Sequence, residues 1–210
     1  MSGLEIIGGI SAVITIIDVS VNVWKAAQKD AKVPDTFRAV AQRLPLLVST
    51  LRTCHDQLKT SQEPLPNDVV VSFSRIVDSC KAKARCLRDI FEETIPGEDA
   101  SRVERYKKAV QLQGKGKRVE QLVQSISEDT AVLVNYHAVK SVRPDLPGLL
   151  QDLINELQNM EPSMSEERSS SRTFNNTNYG GSQNINSGDN TNSGPGNQYI
   201  YGGVSTLNHR

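Results

Sequence analysis

Between residues 4 and 30 the chain is crowded with apolar side chains. Ile6, Ile10, Val13, Ile17, Val21 and Trp24 recur at steps of four and three, the spacing of one face of a helix. Ile7, Ile14 and Ile16 widen that stripe, so the predicted first helix is apolar around much of its circumference. After Pro34-Asp35 a second helical pattern runs to about residue 60, with Phe37, Val40, Leu44, Leu47, Leu51 and Leu58 on one face. Pro45 lies inside it and predicts a kink or a break, because proline has no amide proton and its ring crowds the preceding turn. A third helix over 67–94 carries Val70, Phe73, Val77, Cys80, Leu87 and Ile90. A basic helix follows over about 100–113, then Gly114-Lys115-Gly116-Lys117. Val119, Leu122, Val123, Ile126, Val132 and Leu133 resume the helical period toward residue 140. Pro144 and Pro147 bracket a turn before a short last helix with Leu149, Leu150, Leu153, Ile154 and Leu157.

From about residue 161 the pattern stops. Apolar residues become sparse and Ser, Asn and Gly dominate, a composition that cannot bury enough surface to offset its ordering entropy in a single chain. The expected organisation is therefore a helical domain over 1–160, a linker over 161–174 and a polar motif over 175–210. The fold class is all-α, with four or more helices and a disordered tail. Composition agrees: aromatics make up 5% of 210 residues, and the apolar content is mostly Val, Leu, Ile and Ala.

Charge and chemistry narrow the function. Twenty-four basic residues balance 24 acidic ones, which argues against a nucleic-acid partner. Cys54, Cys80 and Cys86 lack metal-ligand spacing and read as reduced thiols on helices. The N-terminus lacks a basic region and a cleavage site, so the expectation is an intracellular protein, cytoplasmic at rest. Cys54 and His55 are adjacent, but helix neighbours point about 100° apart and cannot act as nucleophile and base on each other. Gly114-Lys115-Gly116-Lys117 lacks both the spacing and the preceding strand of a phosphate loop. The expectation is no enzyme, no cofactor and no metal.

Three features remain. The first helix is long enough to span a bilayer, but Glu5, Asp18 and Asn22 interrupt it, and an Asp near mid-span costs about 3 kcal/mol. It suits the centre of a bundle as well as a membrane. Its candidate membrane-active residues are Ile6, Ile7, Ile10, Val13, Ile14 and Ile17, with Gly8 and Ala12 as a small-xxx-small pair. The second feature, residues 102–118, holds seven basic residues against Glu104 alone. It reads either as a solvated face or as a surface for anionic lipid headgroups through Arg105, Lys107, Lys108, Lys115, Lys117 and Arg118. Third, residues 173–209 contain one Asp and no Glu, Lys or Arg. There Gln183-Asn184-Ile185-Asn186 is answered by Gln198-Tyr199-Ile200-Tyr201, and Tyr179-Gly180-Gly181 by Tyr201-Gly202-Gly203. Low charge and short β-prone cores between glycines fit cross-β stacking, with a core of Gln183, Ile185, Asn197, Gln198, Tyr199, Ile200, Tyr201 and Gly202. An inert tail is the alternative.

The start of the chain, MSGLEIIGGISAVITIIDVSVNVWKAA, and the FRAVAQRLPLLVSTL segment resemble fungal HeLo-like domains of the SesA/HELL type over roughly 1–140. The carriers are the apolar first helix with Gly8-Gly9 and the Arg43-Leu44-Pro45 helix. The tail resembles the short amyloid signalling motifs that end such effectors, of the PP (RHIM-like) or the sigma type. Asn197 and Tyr199 depart from the animal RHIM core. The resemblance implies a cell-death executioner of fungal innate immunity, similar to the four-helix domain of the animal necroptosis pseudokinase. It further implies a NACHT/NLR-like receptor with a matching motif, self-assembly through the tail, and action on the plasma membrane once activated. The rival expectation is a non-toxic helical adaptor that relays assembly.

Overall fold

The computed structural model describes residues 3–27, 32–61, 65–96, 102–114, 117–136, 139, 141–164, 183–185 and 190–192. By its contacts the chain divides into two compact units, Met1–Ser165 and Glu166–Arg210. The first unit is helical: α1 (Gly3–Ala26), α2 (Asp35–Thr60), α3 (Asn67–Thr94), α4 (Arg102–Gln113), α5 (Val119–Val134) and α6 (Leu146–Gln158). No strand occurs among its described residues. The unit includes residues 161–164, which the sequence pattern assigned to the linker.

Each helix buries most of the stripe its spacing predicts; Val132 on α5 and Leu149 on α6, expected on those stripes, are exposed. Ile6, Ile10, Val13, Ile17 and Val21 line the inner face of α1; Phe37, Val40, Leu44, Leu47 and Leu51 that of α2; Phe73, Val77, Leu87 and Ile90 that of α3. The α1 and α5 helices both pack between α2 and α3, on opposite sides, so the four close a ring around one core. Opposed contacts fix the directions. Asp18 meets Arg52 and Trp24 meets Phe37, so α1 runs antiparallel to α2. On α3, Cys80 meets Asp129 and Phe73 meets Tyr136, so α5 runs antiparallel to it. Short α4 packs on α3, and α6 packs on α5 and α2.

Pro45 does not break α2, which is continuous from Asp35 to Thr60. The ring is exposed, and its own helical position costs about 3 kcal/mol through the bond Ala41 cannot receive. Leu44 and Leu47, flanking it, are fully buried and contribute about 1.5–3 kcal/mol each. With the rest of the stripe they outweigh the proline. Gly114 ends α4: at φ +93° it adopts the left-handed conformation, and its amide donates to Val110 and Gln111 carbonyls at 3.2 Å. Its role is a helix stop. The α5 helix ends at Val134, short of the expected residue 140: the Asn135 backbone amide still bonds the Ala131 carbonyl at 3.0 Å, but the Tyr136 amide turns to the Leu133 carbonyl at 3.2 Å, which tightens the last turn.

The few aromatics are concentrated. Phe37 stacks near Phe91 at 4.6 Å, meets Tyr106 edge-on at 5.2 Å and Trp24 at 6.1 Å, joining α1, α2, α3 and α4 at one end of the bundle. In the second unit, β1 (Gln183–Ile185) pairs antiparallel with β2 (Asn190–Asn192), Gln183 opposite Asn192 and Ile185 opposite Asn190.

Candidate functional site

The α1 helix has 24 residues, about 36 Å at 1.5 Å per residue, and by length and composition could cross a hydrocarbon core of about 30 Å. Here it forms a wall of the bundle, which corrects the expectation of a central helix. Only 39% of its most apolar 18-residue stretch is buried. Ile6, Ile10, Val13 and Ile17 point into the core, and Ile7 and Ile14 are half-buried along its edges. Leu4, Gly8, Ser11, Thr15 and Asn22 face outward, and Leu4 is 79% exposed. All six isoleucine and valine positions named as membrane-active are therefore occupied by contacts within the protein.

Two details hold α1 in place. At Gly9 the helix approaches α3 so closely that a Cβ would lie 2.5 Å from Val77 Cγ1. Beside this contact a groove of about 330 Å³ opens between α1 and α3, lined by Glu5, Gly8, Gly9, Ser74, Asp78 and Lys81. Farther along, Arg52 Nη2 donates to Asp18 Oδ2 at 2.5 Å, so the acid that interrupts the apolar run is paired across to α2.

The basic segment has mixed duties. Arg102 Nε donates to the Ile95 carbonyl at 3.1 Å, and Arg105 Nε to the Thr94 carbonyl at 3.2 Å. Both guanidiniums thus satisfy carbonyls at the C-terminal end of α3, where the helix dipole favours positive charge. Lys107 and Lys108 are exposed on α4. Lys117 is half-buried with Nζ 4.0 Å from Cys86 Sγ, and Lys115 lies outside the described residues. Tyr106, the aromatic of this segment, is fully buried, and burial pushes its hydroxyl up to about 12.

Arg118 belongs to a buried cluster that the sequence pattern did not reveal. Its Nε lies 3.2 Å from Glu120 Oε1, and its Nη1 donates to the Met164 carbonyl at 3.1 Å. Glu120 is 5% exposed and accepts from the Ser163 hydroxyl at 2.6 Å and the Ser163 amide at 3.2 Å. The Tyr106 hydroxyl lies within hydrogen-bond distance of Ser163 Oγ and of the Val119 amide. Glu120 resembles a surface acid in the sequence, and Ser163 sits in a Ser-rich stretch, so no periodicity marks either.

Other candidate chemistry stays apart. Cys54 is buried, while His55 Nδ1 lies 2.9 Å from Asp56 Oδ1. Burial pushes the Cys54 and Cys80 thiols up to about 12, which keeps them protonated and weakly nucleophilic. Among the described residues no group of three or more His, Cys, Asp or Glu side chains could hold a metal ion. In the tail, Gln183 and Ile185 lie on β1, and Asn197, Gln198, Tyr199, Ile200, Tyr201 and Gly202 lie outside the described residues.

Fold and surfaces together define an all-α bundle with an N-terminal helix of membrane-spanning length, followed by a separate polar unit. The chain belongs to the SesA family: the model of this family, described as an N-terminal domain on NACHT NTPases and P-loop NTPases, matches residues 10–133, more than half of the chain. The matched stretch runs from within α1 to within α5. No curated protein and no solved structure matches.

Proposed function

We propose that the protein is a non-enzymatic cell-death effector. A NACHT/NLR-like receptor templates its 175–210 tail into a cross-β assembly, and the gathered helical units then act on the plasma membrane from a cytoplasmic resting state. The observation that carries this reading is the dual character of α1. It is apolar and long enough to span a bilayer, yet it is held on the bundle wall by one face, with Leu4 and otherwise small and polar residues outward. Exchange of the bundle core for lipid would leave its buried stripe satisfied in either setting. Gathering many chains on a cross-β scaffold raises the local concentration of α1 by orders of magnitude, which favours such an exchange. Lys107 and Lys108, exposed on α4, add attraction to anionic headgroups of about 1 kcal/mol each near the surface. Gln183 and Ile185 pair in β1, and the uncharged composition around them suits stacking of identical chains.

The test must spare the fold. A charge at Ile10 would be introduced where exposure is 0%, and would unfold the bundle whatever the function. Thr15 faces outward, and a Lys there costs the bundle little but costs a membrane-spanning α1 about 2.5–3.5 kcal/mol. Thr15→Lys is expected to keep the wild-type melting temperature while cutting leakage of anionic vesicles by the assembled protein about tenfold or more. Undiminished leakage would instead leave a helical adaptor that relays assembly without entering membranes. Ile200→Pro is expected to abolish fibrils with a 4.7–4.8 Å repeat while leaving the helical unit folded.

A further inference from the structure

We infer that residues 160–164 form a releasable clasp, latched by the Ser163 hydroxyl, which couples the packing of α4 and α5 to the chain that leaves for the second unit. After α6 the chain folds back across the bundle without regular structure. Thr36 Oγ1 donates to the Glu161 carbonyl at 2.8 Å, and Met160 and Met164 rest half-buried on the core. Ser163 itself is 9% exposed, whereas Glu161 and Pro162 beside it are exposed.

The hydrogen-bond directions in the cluster follow from counting protons. Glu120 as a carboxylate can only accept, so the single hydroxyl proton of Ser163 goes to Glu120 Oε2. Tyr106 must then donate to Ser163 Oγ, and its own oxygen accepts the Val119 amide at 3.4 Å. The result is one directed chain from the first amide of α5, through the α4 tyrosine and the clasp serine, to the α5 carboxylate. Arg118 closes it by pairing with Glu120 and bonding the Met164 carbonyl.

Such a chain works as a latch because its members are satisfied together. With the clasp lifted, Glu120 loses two donors and Tyr106 loses its acceptor, and both groups must take water into a site that is closed when docked. Holding energy is mainly polar, since the clasp contributes two half-buried methionines and no deeply buried large apolar side chain. The Ser163 hydroxyl, which joins Tyr106 to Glu120, is the member of the clasp bonded to both α4 and α5. The boundary between the two units falls after Ser165, one residue beyond Met164. Anything that reorients the chain from that boundary onward acts first on Met164 and its bond to Arg118 and then on Ser163, and by linkage, order in α4 and α5 acts back on that chain.

The test uses the full chain and no membrane, so it stands apart from the proposed function. Ser163→Asp sets a second carboxylate against Glu120. Hydrogen exchange at 160–164 and at the α5 N-terminus is expected to quicken about tenfold or more, with protection in α1, α2 and α3 retained. Adding Glu120→Gln supplies an amide donor to the new carboxylate and is expected to restore protection to within about threefold of wild type. Ser163→Ala is expected to fall between. The clasp is overturned by unchanged protection in Ser163→Asp. It is equally overturned by loss of protection, local or global, that Glu120→Gln does not restore, since that would mark residues 160–164 as ordinary packing.

Discussion

A Cβ at Gly9 would sit 2.5 Å from Val77 Cγ1, and valine, branched at Cβ, cannot swing that methyl away without leaving its rotamer. At Gly8, one residue earlier, a Cβ meets nothing within 4 Å. Gly9→Ala is therefore expected to destabilise the helical unit by about 1–3 kcal/mol through overpacking. Gly8→Ala is expected to stabilise it by about 0.5–1 kcal/mol through helix propensity. Thermal melts of the two variants should move in opposite directions, and equal shifts would show that α1 does not seat on α3 at Gly9. Titratable residues give a second expectation at this scale. Burial raises the Cys54 and Cys80 thiols from 9.0 to about 12 and the Tyr106 hydroxyl from 10.0 to about 12. The unfolded chain releases these protons first, so their stabilising contribution is complete below pH 9 and is lost progressively between pH 9 and 12. Urea midpoints at pH 8, 10 and 11 should fall in that order; a flat profile would place these groups in water.

At the scale of elements, α2 and α3 were legible almost to the residue, because long amphipathic stripes flanked by Pro34 and Pro66 leave little freedom in where a helix starts. At Pro45 the expected break does not occur, since α2 is continuous from Asp35 to Thr60. The proline's effect depends on which side of the helix faces water, and only packing decides that. Since the ring is exposed, Pro45→Ala is expected to raise stability, by up to about 3 kcal/mol. Chemical denaturation measures this directly, and a loss of stability would mean that α2 needs the proline in place. The arginines of 102–118 carry a similar lesson. As a charge run they resemble a surface, yet Arg102 and Arg105 cap α3 and Arg118 holds Glu120, which leaves Lys107 and Lys108 as its exposed cations among the described residues. Charge composition reports how many cations a segment has, and three-dimensional proximity to carbonyls and acids decides which of them face solvent.

For the whole molecule, the apolar period of the first 160 residues already dictated an all-α domain, because five stripes at helical spacing bury themselves most readily against one another as helices. The same pattern marked α1 as fit for either a core or a bilayer, since both environments select the same side chains. The change in composition near residue 161 lies four residues before the end of the first compact unit at Ser165. What tertiary structure alone decided was the use of those parts: α1 as a wall between α2 and α3 with its isoleucines turned inward, and Asp18 paired with Arg52. It also brought Ser163, Glu120, Tyr106 and Arg118 together across as many as 57 residues of sequence. The reason is physical. Hydrophobic period is a local property that repeats along the chain and can be read from it. A buried hydrogen bond is a single meeting of distant groups, whose stability depends on the exclusion of water that only the assembled bundle provides.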